Sequence, residues 1–178
     1  MVLKKCFLVL LALILAIGSY IIIMRPANIP FSTIYRAYHQ PKGSFLLLAT
    51  GDIMVHDRQL ESTYRPEIKD YDFKEWFAEI EPYLQEGDIV IGNLETTLAG
   101  KDMHYSGYPV FNSPESLADN LKEAGFTLVS TANNHCLDRG EKGVLRTIEH
   151  LERAGLGFFG TARSREERDH FFRHHKRH

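Results

Sequence analysis

The chain has 178 residues, 44% of them hydrophobic, and a formal net charge of -2 at pH 7. Such a length accommodates one apolar segment and one domain with a single core. The charge is uneven, since residues 26–160 contain 12 Lys or Arg and 20 Asp or Glu, whereas residues 161–178 contain 6 basic and 3 acidic residues. The acidic character of the longer part argues against nucleic acid as a partner.

An apolar run of 19 residues without a charge extends from Cys6 to Met24, directly after two lysines. At about 1.5 Å per residue, a helix of this length approaches the roughly 30 Å thickness of the hydrocarbon core of a bilayer. We expect residues 1–25 to form an uncleaved transmembrane anchor. The alternative is a cleaved signal peptide, for which Ala16-Ile17-Gly18 is a weak exit site, although the apolar run continues past it.

The short tail before this run and the large domain after it predict a single-pass protein of the cell membrane whose domain faces outside. Residues 26–43 contain three prolines and no sustained periodicity. This composition is typical of a linker that holds a domain away from the bilayer.

No internal disulfide is expected between Cys6 and Cys136, the two cysteines of the chain.

The predicted domain, residues 44–169, begins with the apolar run FLLLAT. We expect this run to be a central parallel strand that is covered on both faces and ends at Asp52. A helix is predicted next, with Asp72 as its N-cap and with Pro82 distorting its last turn. Its apolar face consists of residues at helical spacing, namely Phe73, Trp76, Phe77, Ile80 and Leu84.

A second strand is predicted over residues 88–92. Residues 101–112 contain glycine, proline and several aromatic residues, which indicates a surface loop near a site. The dipeptide Ser113-Pro114 is typical of the start of a helix, with Ser as the cap and Pro in the first turn. Gly125 is expected to end this helix.

The stretch 127–160 contains a third strand, a polar turn, a helix and a fourth strand, which is half of a βαβ module. Gly155 is expected to end the helix, whose apolar face consists of Val144, Leu145, Ile148, Leu151 and Ala154. The alternation of four strands with helices predicts an α/β sandwich with a mostly parallel sheet. Residues 161–178 are highly charged, and we expect the basic, His-rich tail 170–178 to be solvated and irregular, with metal or an acidic polymer as an alternative ligand.

Polar side chains follow three of the predicted strands. Asp52 ends the first strand, Asn93 and Glu95 follow the second, and Asn134 and His135 follow the third. Because the carboxyl ends of adjacent parallel strands share one edge of a sheet, we expect these groups to converge there. Two carboxylates, an amide oxygen and an imidazole are suitable ligands for Mn²⁺, Mg²⁺, Zn²⁺ or Fe.

A divalent cation at that edge would polarise a phosphoryl oxygen, and His135 would donate a proton to the leaving group, as in metal-assisted phosphoester hydrolysis. The alternative is a purely structural corner, because Asn-Asn is common in turns and a following His can cap a helix. Asp138 and His56 are further possible site residues. Cys136 is expected to be a buried filler, since nothing indicates the low thiol pKa of a nucleophile, and a reactive thiol is the alternative.

A resemblance to the poly-gamma-glutamate capsule biosynthesis protein CapA family is carried by three blocks of sequence, GDIMVHDR, GDIVIGNLETTL and STANNHCLDRGEKGVLRTIEHLERAGLGFFGTARS. This family is a membrane-anchored branch of the calcineurin-like metallophosphoesterase fold. The resemblance covers residues 44–169 and implies a role in making, exporting or anchoring the capsule at the bacterial cell surface. It also implies residue roles, namely metal ligand for Asp52, Glu95 and Asn134 and general acid for His135.

The chain departs from the family pattern at its first strand, where Met54 replaces the His of an Asp-x-His motif and His56 is the candidate substitute. It also lacks the further His ligands of the second half of the parent fold. We therefore expect a truncated or frame-shifted copy, or a fragment that another chain completes.

Two functions remain open at this point. The first is a non-catalytic, membrane-tethered capsule component that contacts capsule synthase subunits or poly-gamma-glutamate. The second is a metal-dependent hydrolase, impaired by the missing ligands, that acts on a phosphoester or on an amide link of the polymer.

Overall fold

A four-stranded sheet, parallel throughout, organises residues 43–174, which are the part of the chain that the computed structural model describes, with side chains to residue 169. In chain order the elements are β1 (Leu47–Ile53), α1 (Asp57–Thr63), β2 (Tyr64–Arg65), β3 (Asp70–Tyr71), α2 (Lys74–Phe77), α3 (Glu81–Leu84), β4 (Ile89–Leu94), a 3-10 helix (Lys101–Met103), α4 (Ser116–Ala124), β5 (Leu128–Ser130), α5 (Gly140–Arg153), β6 (Gly157–Phe159) and α6 (Arg165–His174). The sheet order is β1-β4-β5-β6, and β2 and β3 form a separate antiparallel pair. The predicted α/β class with a mostly parallel sheet is confirmed.

The predicted anchor, residues 1–25, lies outside the described residues and stays a prediction, as does nearly all of the predicted linker. Within the described part of the chain, no helix has the length and apolar character that a membrane crossing requires.

The first strand lies at an edge of the sheet, so the expectation of a central strand covered on both faces is wrong. Among residues 43–174, β1 pairs only with β4, and most of its residues are exposed, Leu47 to 52%. The strand also continues past Asp52 to Ile53, with an irregular register between Ala49 and Asp52. An apolar run is buried only where other elements cover it, and the described residues cover Val90 of β4 and Val129 of β5 completely.

The predicted continuous helix over residues 73–84 is instead two short helices, α2 and α3, separated by a turn. Pro82 gives the physical reason. Its nitrogen carries no hydrogen for the carbonyl four residues earlier, and its ring would collide with that carbonyl in a continuous helix. In the first turn of α3, where that bond is not needed, proline is tolerated.

Two predicted N-caps are displaced. Phe73 is the N-cap residue of α2, although the Asp72 carboxylate accepts a hydrogen bond from the N–H of Lys74 at 3.0 Å. The helix α4 begins later than predicted, because the Ser113 hydroxyl is buried and lies 2.8 Å from the hydroxyl of Thr96. That hydroxyl therefore joins two loops and does not cap the helix.

The predicted helix ends are confirmed at Gly125 and Gly155, which follow α4 and α5 with φ of 110° and 66°. On the predicted apolar face of α5, Ile148 and Leu151 are buried, whereas Leu145 is 37% exposed. The helix α6 extends regular structure into the C-terminal segment, so the expectation of an irregular tail is wrong as far as residue 174.

The hydrophobic core lies between the sheet and the helices that cover it. It unites residues from the helices α1 to α5, from the strands β4 and β5 and from the loops between them. Its fully buried members include Val55, Phe73, Val90, Leu94, Leu98, Leu117, Leu121, Phe126, Val129 and Leu151.

Candidate functional site

The carboxyl edge of the sheet brings together residues from β1, β4 and β5. Asp52 and Asn93 are register partners on β1 and β4, and Asn93 is in turn the partner of Ser130 on β5. Glu95 follows β4, two residues beyond Asn93, and side chains two residues apart along an extended strand project to the same face. The N–H of Glu95 is bonded to the carbonyl of Ile53 at 2.9 Å, which keeps this end of β4 against β1.

Asn93 links two carboxylates. Its Nδ2 donates to Oδ1 of Asp52 at 2.8 Å and to Oε2 of Glu95 at 2.7 Å. Both carboxylates therefore lie within hydrogen-bond distance of one nitrogen atom, and Asn93 holds them at the same edge of the sheet. We call Asp52, Asn93 and Glu95 the edge cluster. Asp52 is exposed and the other two are partly buried, so the cluster opens to solvent on the side of Asp52.

Asn133, which was not among the predicted ligands, supports the edge cluster from the turn after β5. Its Nδ2 donates to Oδ1 of Asn93 at 3.1 Å and to the carbonyl of Leu94 at 2.9 Å, while its Oδ1 accepts the N–H of His135 at 3.0 Å. Because Oδ1 of Asn93 is engaged in this way, Nδ2 of Asn93 points to the carboxylates. Asn134, the predicted ligand, is exposed beside it.

His135 belongs to a second polar group next to the edge cluster. Its Nδ1 lies 2.8 Å from Oδ2 of Asp138, and the same oxygen accepts the backbone N–H of Phe111 at 2.6 Å. The side chains of His135 and Asp138 are only 14% and 12% exposed. The Phe111 ring meets the imidazole of His135 edge to face, with 4.7 Å between ring centroids, and that of His56 at 5.1 Å.

The structure therefore joins some of the predicted site residues and separates others. Hydrogen bonds connect all three members of the edge cluster, while His135 and Asp138 bond to each other and are linked to the cluster through Asn133. Asn134 and His56 are exposed, and neither has a side-chain hydrogen bond to the cluster within the described residues. The sequence marks Asn133 as a polar residue of the same turn able to bind a metal, but it does not favour it over Asn134, and Phe111 carries no sequence signal of a role at the site.

The loop that precedes α4 forms one wall of the site. The N–H of Gly107 donates to the Asp57 carboxylate at 2.7 Å, and that of Phe111 donates to Asp138, so the loop is tied to α1 and to the turn after β5. A Cβ atom on Gly107 would lie 2.8 Å from backbone atoms of His56 and Asp57. Only glycine permits so close an approach of the two backbones.

Asn112, the neighbour of Phe111, is fully buried within this loop. Its Oδ1 accepts the N–H of Ala99 at 2.7 Å, and its Nδ2 donates to the carbonyls of Gly100 and His104 at 3.0 Å each. One side chain thus satisfies three backbone groups that no strand or helix could satisfy in this irregular segment. Asn112 therefore sets the path of the loop that carries Phe111 to His135.

We expect Asp102, in the 3-10 helix of the same loop, to titrate at unusually low pH. Hydrogen bonds from Arg146 at 2.5 Å and Lys142 at 3.2 Å lower its pKa from the ordinary 3.8 to about 2. Because this pKa is lower in the folded than in the unfolded state, the interaction stabilises the fold above about pH 3.8 and is lost as the pH falls towards 2.

An NMR titration of the Asp102 carboxyl checks this expectation, and Arg146→Gln should move the measured pKa upwards. A pKa close to 3.8 in the unmodified chain would contradict the ion pairs.

The edge cluster offers the carboxylate oxygen atoms of Asp52 and Glu95 as ligands, since the amide oxygen of Asn93 accepts a hydrogen bond from Asn133. Among the described residues, no three His, Cys, Asp or Glu side chains form a group that could hold a metal ion. Two carboxylates suit a hard cation that keeps several water ligands, as Mg²⁺ does. They suit Zn²⁺ less well, because Zn²⁺ takes three or four protein ligands, usually nitrogen or sulfur.

Comparison with known proteins finds relatives of this chain. The model of the family described as "Bacterial capsule synthesis protein PGA_cap" matches residues 46–177. "Capsule biosynthesis protein CapA" of Bacillus anthracis is 31% identical over 134 residues, which cover 68% of this chain and 29% of that protein. "PGA biosynthesis protein CapA" of Bacillus subtilis (strain 168) is 29% identical over 96 residues, covering 49% of this chain and 24% of that protein. "Uncharacterized protein y4sH" of Sinorhizobium fredii is 30% identical over 130 residues, which cover 69% of this chain and 26% of that protein.

The chain thus spans between 24% and 29% of the length of these relatives. The family is metallophosphoesterase-like, and such proteins are commonly metal dependent. The resemblance that the three sequence blocks indicated is confirmed by a match that extends over most of the described domain. On this evidence the chain belongs to the bacterial capsule synthesis protein family PGA_cap.

Proposed function

We propose that this chain acts in the biosynthesis of a bacterial capsule, with poly-gamma-glutamate as the polymer, at the outer side of the cell membrane. Two of its relatives carry names that refer to capsule or PGA biosynthesis. The apolar run at residues 6–24 supports a membrane tether. A domain held outside the cell would lie where polymer is exported or anchored, next to capsule synthase subunits.

The charge of the domain bears on how it would meet the polymer. Residues 26–160 have a balance of -8, from 12 basic and 20 acidic side chains, and therefore repel a chain of carboxylates. A divalent cation at the edge cluster would offset this repulsion locally. We accordingly propose that a bound cation bridges the domain and poly-gamma-glutamate. Contact with a synthase subunit does not require a cation.

The single observation that carries the proposed site is the placement of the Asp52 and Glu95 carboxylates around the amide of Asn93. Their oxygen atoms fit Mg²⁺ or Mn²⁺, and the resemblance adds the exposed amide of Asn134 as a further ligand. Bound there, such a cation would supply positive charge to a phosphoryl or carbonyl oxygen of a substrate.

Metal-dependent hydrolysis of a phosphoester is the second candidate function, and the environment of His135 favours it. The imidazole lies in the turn beside the edge cluster and is bonded to the Asp138 carboxylate. An imidazole exchanges protons near neutral pH and is a suitable donor to a leaving-group oxygen. The same residues would support cleavage of an amide link in the polymer.

Gene deletion in the host of this protein, followed by rescue with the full chain, tests the role in the capsule. Capsule staining should be lost on deletion and restored by the unmodified chain. The Asp52→Asn chain should fail to restore it, whereas Asp119→Asn, at an exposed carboxylate on α4, should restore it fully. A normal capsule in the deletion strain would refute the proposal, and full rescue by Asp52→Asn would separate the capsule role from the edge cluster.

A further inference from the structure

We infer that Asp138 and Phe111 are positioning residues for His135, which hold its ring so that Nδ1 is engaged and Nε2 exchanges protons with a substrate. This inference rests on the proposed function, in which His135 transfers a proton. It extends that function by giving the loop before α4 a role in orienting the proton donor.

The hydrogen bonds of Asp138 determine which ring nitrogen of His135 carries a hydrogen. Oδ2 of Asp138 accepts the backbone N–H of Phe111 at 2.6 Å, and the same atom lies 2.8 Å from Nδ1 of His135. An ionised carboxylate oxygen accepts both bonds, so Nδ1 is the donor. In the neutral ring Nε2 is then unprotonated, and within the described residues no side chain bonds to it.

Phe111 restricts the ring by packing as well as through its N–H. Its side chain is 1% exposed, and its ring plane is inclined at 89° to that of His135. A buried aromatic ring in a close-packed interior has no free volume to move into, so it limits rotation of the imidazole it contacts. The same ring contacts His56, which brings a second imidazole to this wall of the site.

Among the described residues, two carboxylates accept backbone N–H groups of the loop, and they offer a matched comparison. Asp138 accepts the N–H of Phe111, and Asp57 accepts the N–H of Gly107 at 2.7 Å. Only Asp138 also bonds to the imidazole of His135. Loss of either carboxylate removes one tether of the loop, but only loss of Asp138 should change the protonated nitrogen of the ring.

Nitrogen-15 NMR of the imidazoles in the full, metal-free chain, held in detergent micelles at about pH 9, tests the inference. The chain contains nine histidines, so the His135 signals are identified by their loss in His135→Gln. We expect the proton on Nδ1 in the unmodified chain and in Asp57→Ala. In Asp138→Ala we expect it to move largely to Nε2.

Two conservative variants keep the test decisive if Asp138→Ala does not fold. Asp138→Asn retains an oxygen that the N–H of Phe111 orients, so the proton should stay on Nδ1. Phe111→Leu retains the backbone N–H and should leave the proton on Nδ1, while the ring hydrogens of His135 lose the shift caused by the neighbouring aromatic ring.

A proton on Nε2 in the unmodified chain would overturn the inference, as would the same change in Asp57→Ala as in Asp138→Ala. An unchanged ring-hydrogen shift in Phe111→Leu would overturn the part assigned to Phe111. The measurement needs neither metal nor substrate. Absence of hydrolysis in a chain with the proton on Nδ1 would therefore count against the proposed chemistry and not against the orientation of the ring.

Discussion

Replacement of Asp52 by Asn is expected to lower the affinity of the full chain for Mn²⁺ by more than about 100-fold. Changes to residues that only support a metal ligand cost about 10–100-fold in affinity, and loss of a carboxylate that binds the metal directly should exceed that range. Calorimetric titration of the metal-free chain with Mn²⁺ measures the effect. Glu95→Gln should have an effect of similar size, because both carboxylates face the same Asn93 amide.

Two further variants make this experiment specific. Asn133→Ala removes the bond that orients the Asn93 amide and should lower the affinity by about 10–100-fold, as expected for a supporting residue. Asp119→Asn removes an exposed carboxylate of α4 and should leave the affinity unchanged. If the unmodified chain bound Mn²⁺ no more tightly than Asp52→Asn, the edge cluster would not be a cation site.

Asn112→Ala is expected to lower the free energy of unfolding by about 3–5 kcal/mol. The substitution leaves the N–H of Ala99 and the carbonyls of Gly100 and His104 without their partner. Each unsatisfied buried group costs about 1–3 kcal/mol. Water that enters the space left by the side chain bonds to some of these groups and recovers part of the total cost. Urea denaturation of the full chain in mild detergent measures the change in the free energy of unfolding. The fluorescence of Trp76, the one tryptophan, which packs against Phe73, reports unfolding.

The controls for Asn112 separate hydrogen bonding from a general effect of replacing asparagine. Asn134→Ala, at an exposed position, should change the stability of the metal-free chain by less than about 0.5 kcal/mol. Asn112→Asp retains an acceptor for Ala99 but turns an oxygen towards two carbonyl oxygens, so it should be nearly as destabilising as Asn112→Ala. An Asn112→Ala chain as stable as the unmodified one would show that the buried bonds of this loop are not essential.

The edge cluster joins segments 41 residues apart, whereas Asn112 bonds to groups 8 to 13 residues away, and the sequence predicted these contacts unequally. It placed Asp52, Asn93 and Glu95 at one edge because adjacent parallel strands end on the same side of a sheet, a rule that needs only the strand boundaries. It did not distinguish Asn133 from Asn134. Consecutive side chains in a turn point in directions that the backbone path determines, and no periodic pattern reports that path.

Secondary structure shows the same division. The spacing of apolar residues in α5 and the glycines that end α4 and α5 are local signals, and the structure confirms them. The edge position of β1 and the burial of Ser113 against Thr96 depend on which elements cover a segment, and composition does not record this. Pro82 predicted a distortion of the last turn, whereas the helix is interrupted earlier, between Phe77 and Glu81.

Patterns within single segments were enough to predict the α/β class, the family resemblance and the strand ends at which polar side chains gather. Other contacts follow only from the folded chain: Asn93 joins the two carboxylates, Asn133 orients Asn93, and Phe111 and Asp138 contact His135. Hydrogen bonds and ring contacts require groups from different segments to meet within a few ångströms. Packing of the shared core sets those distances.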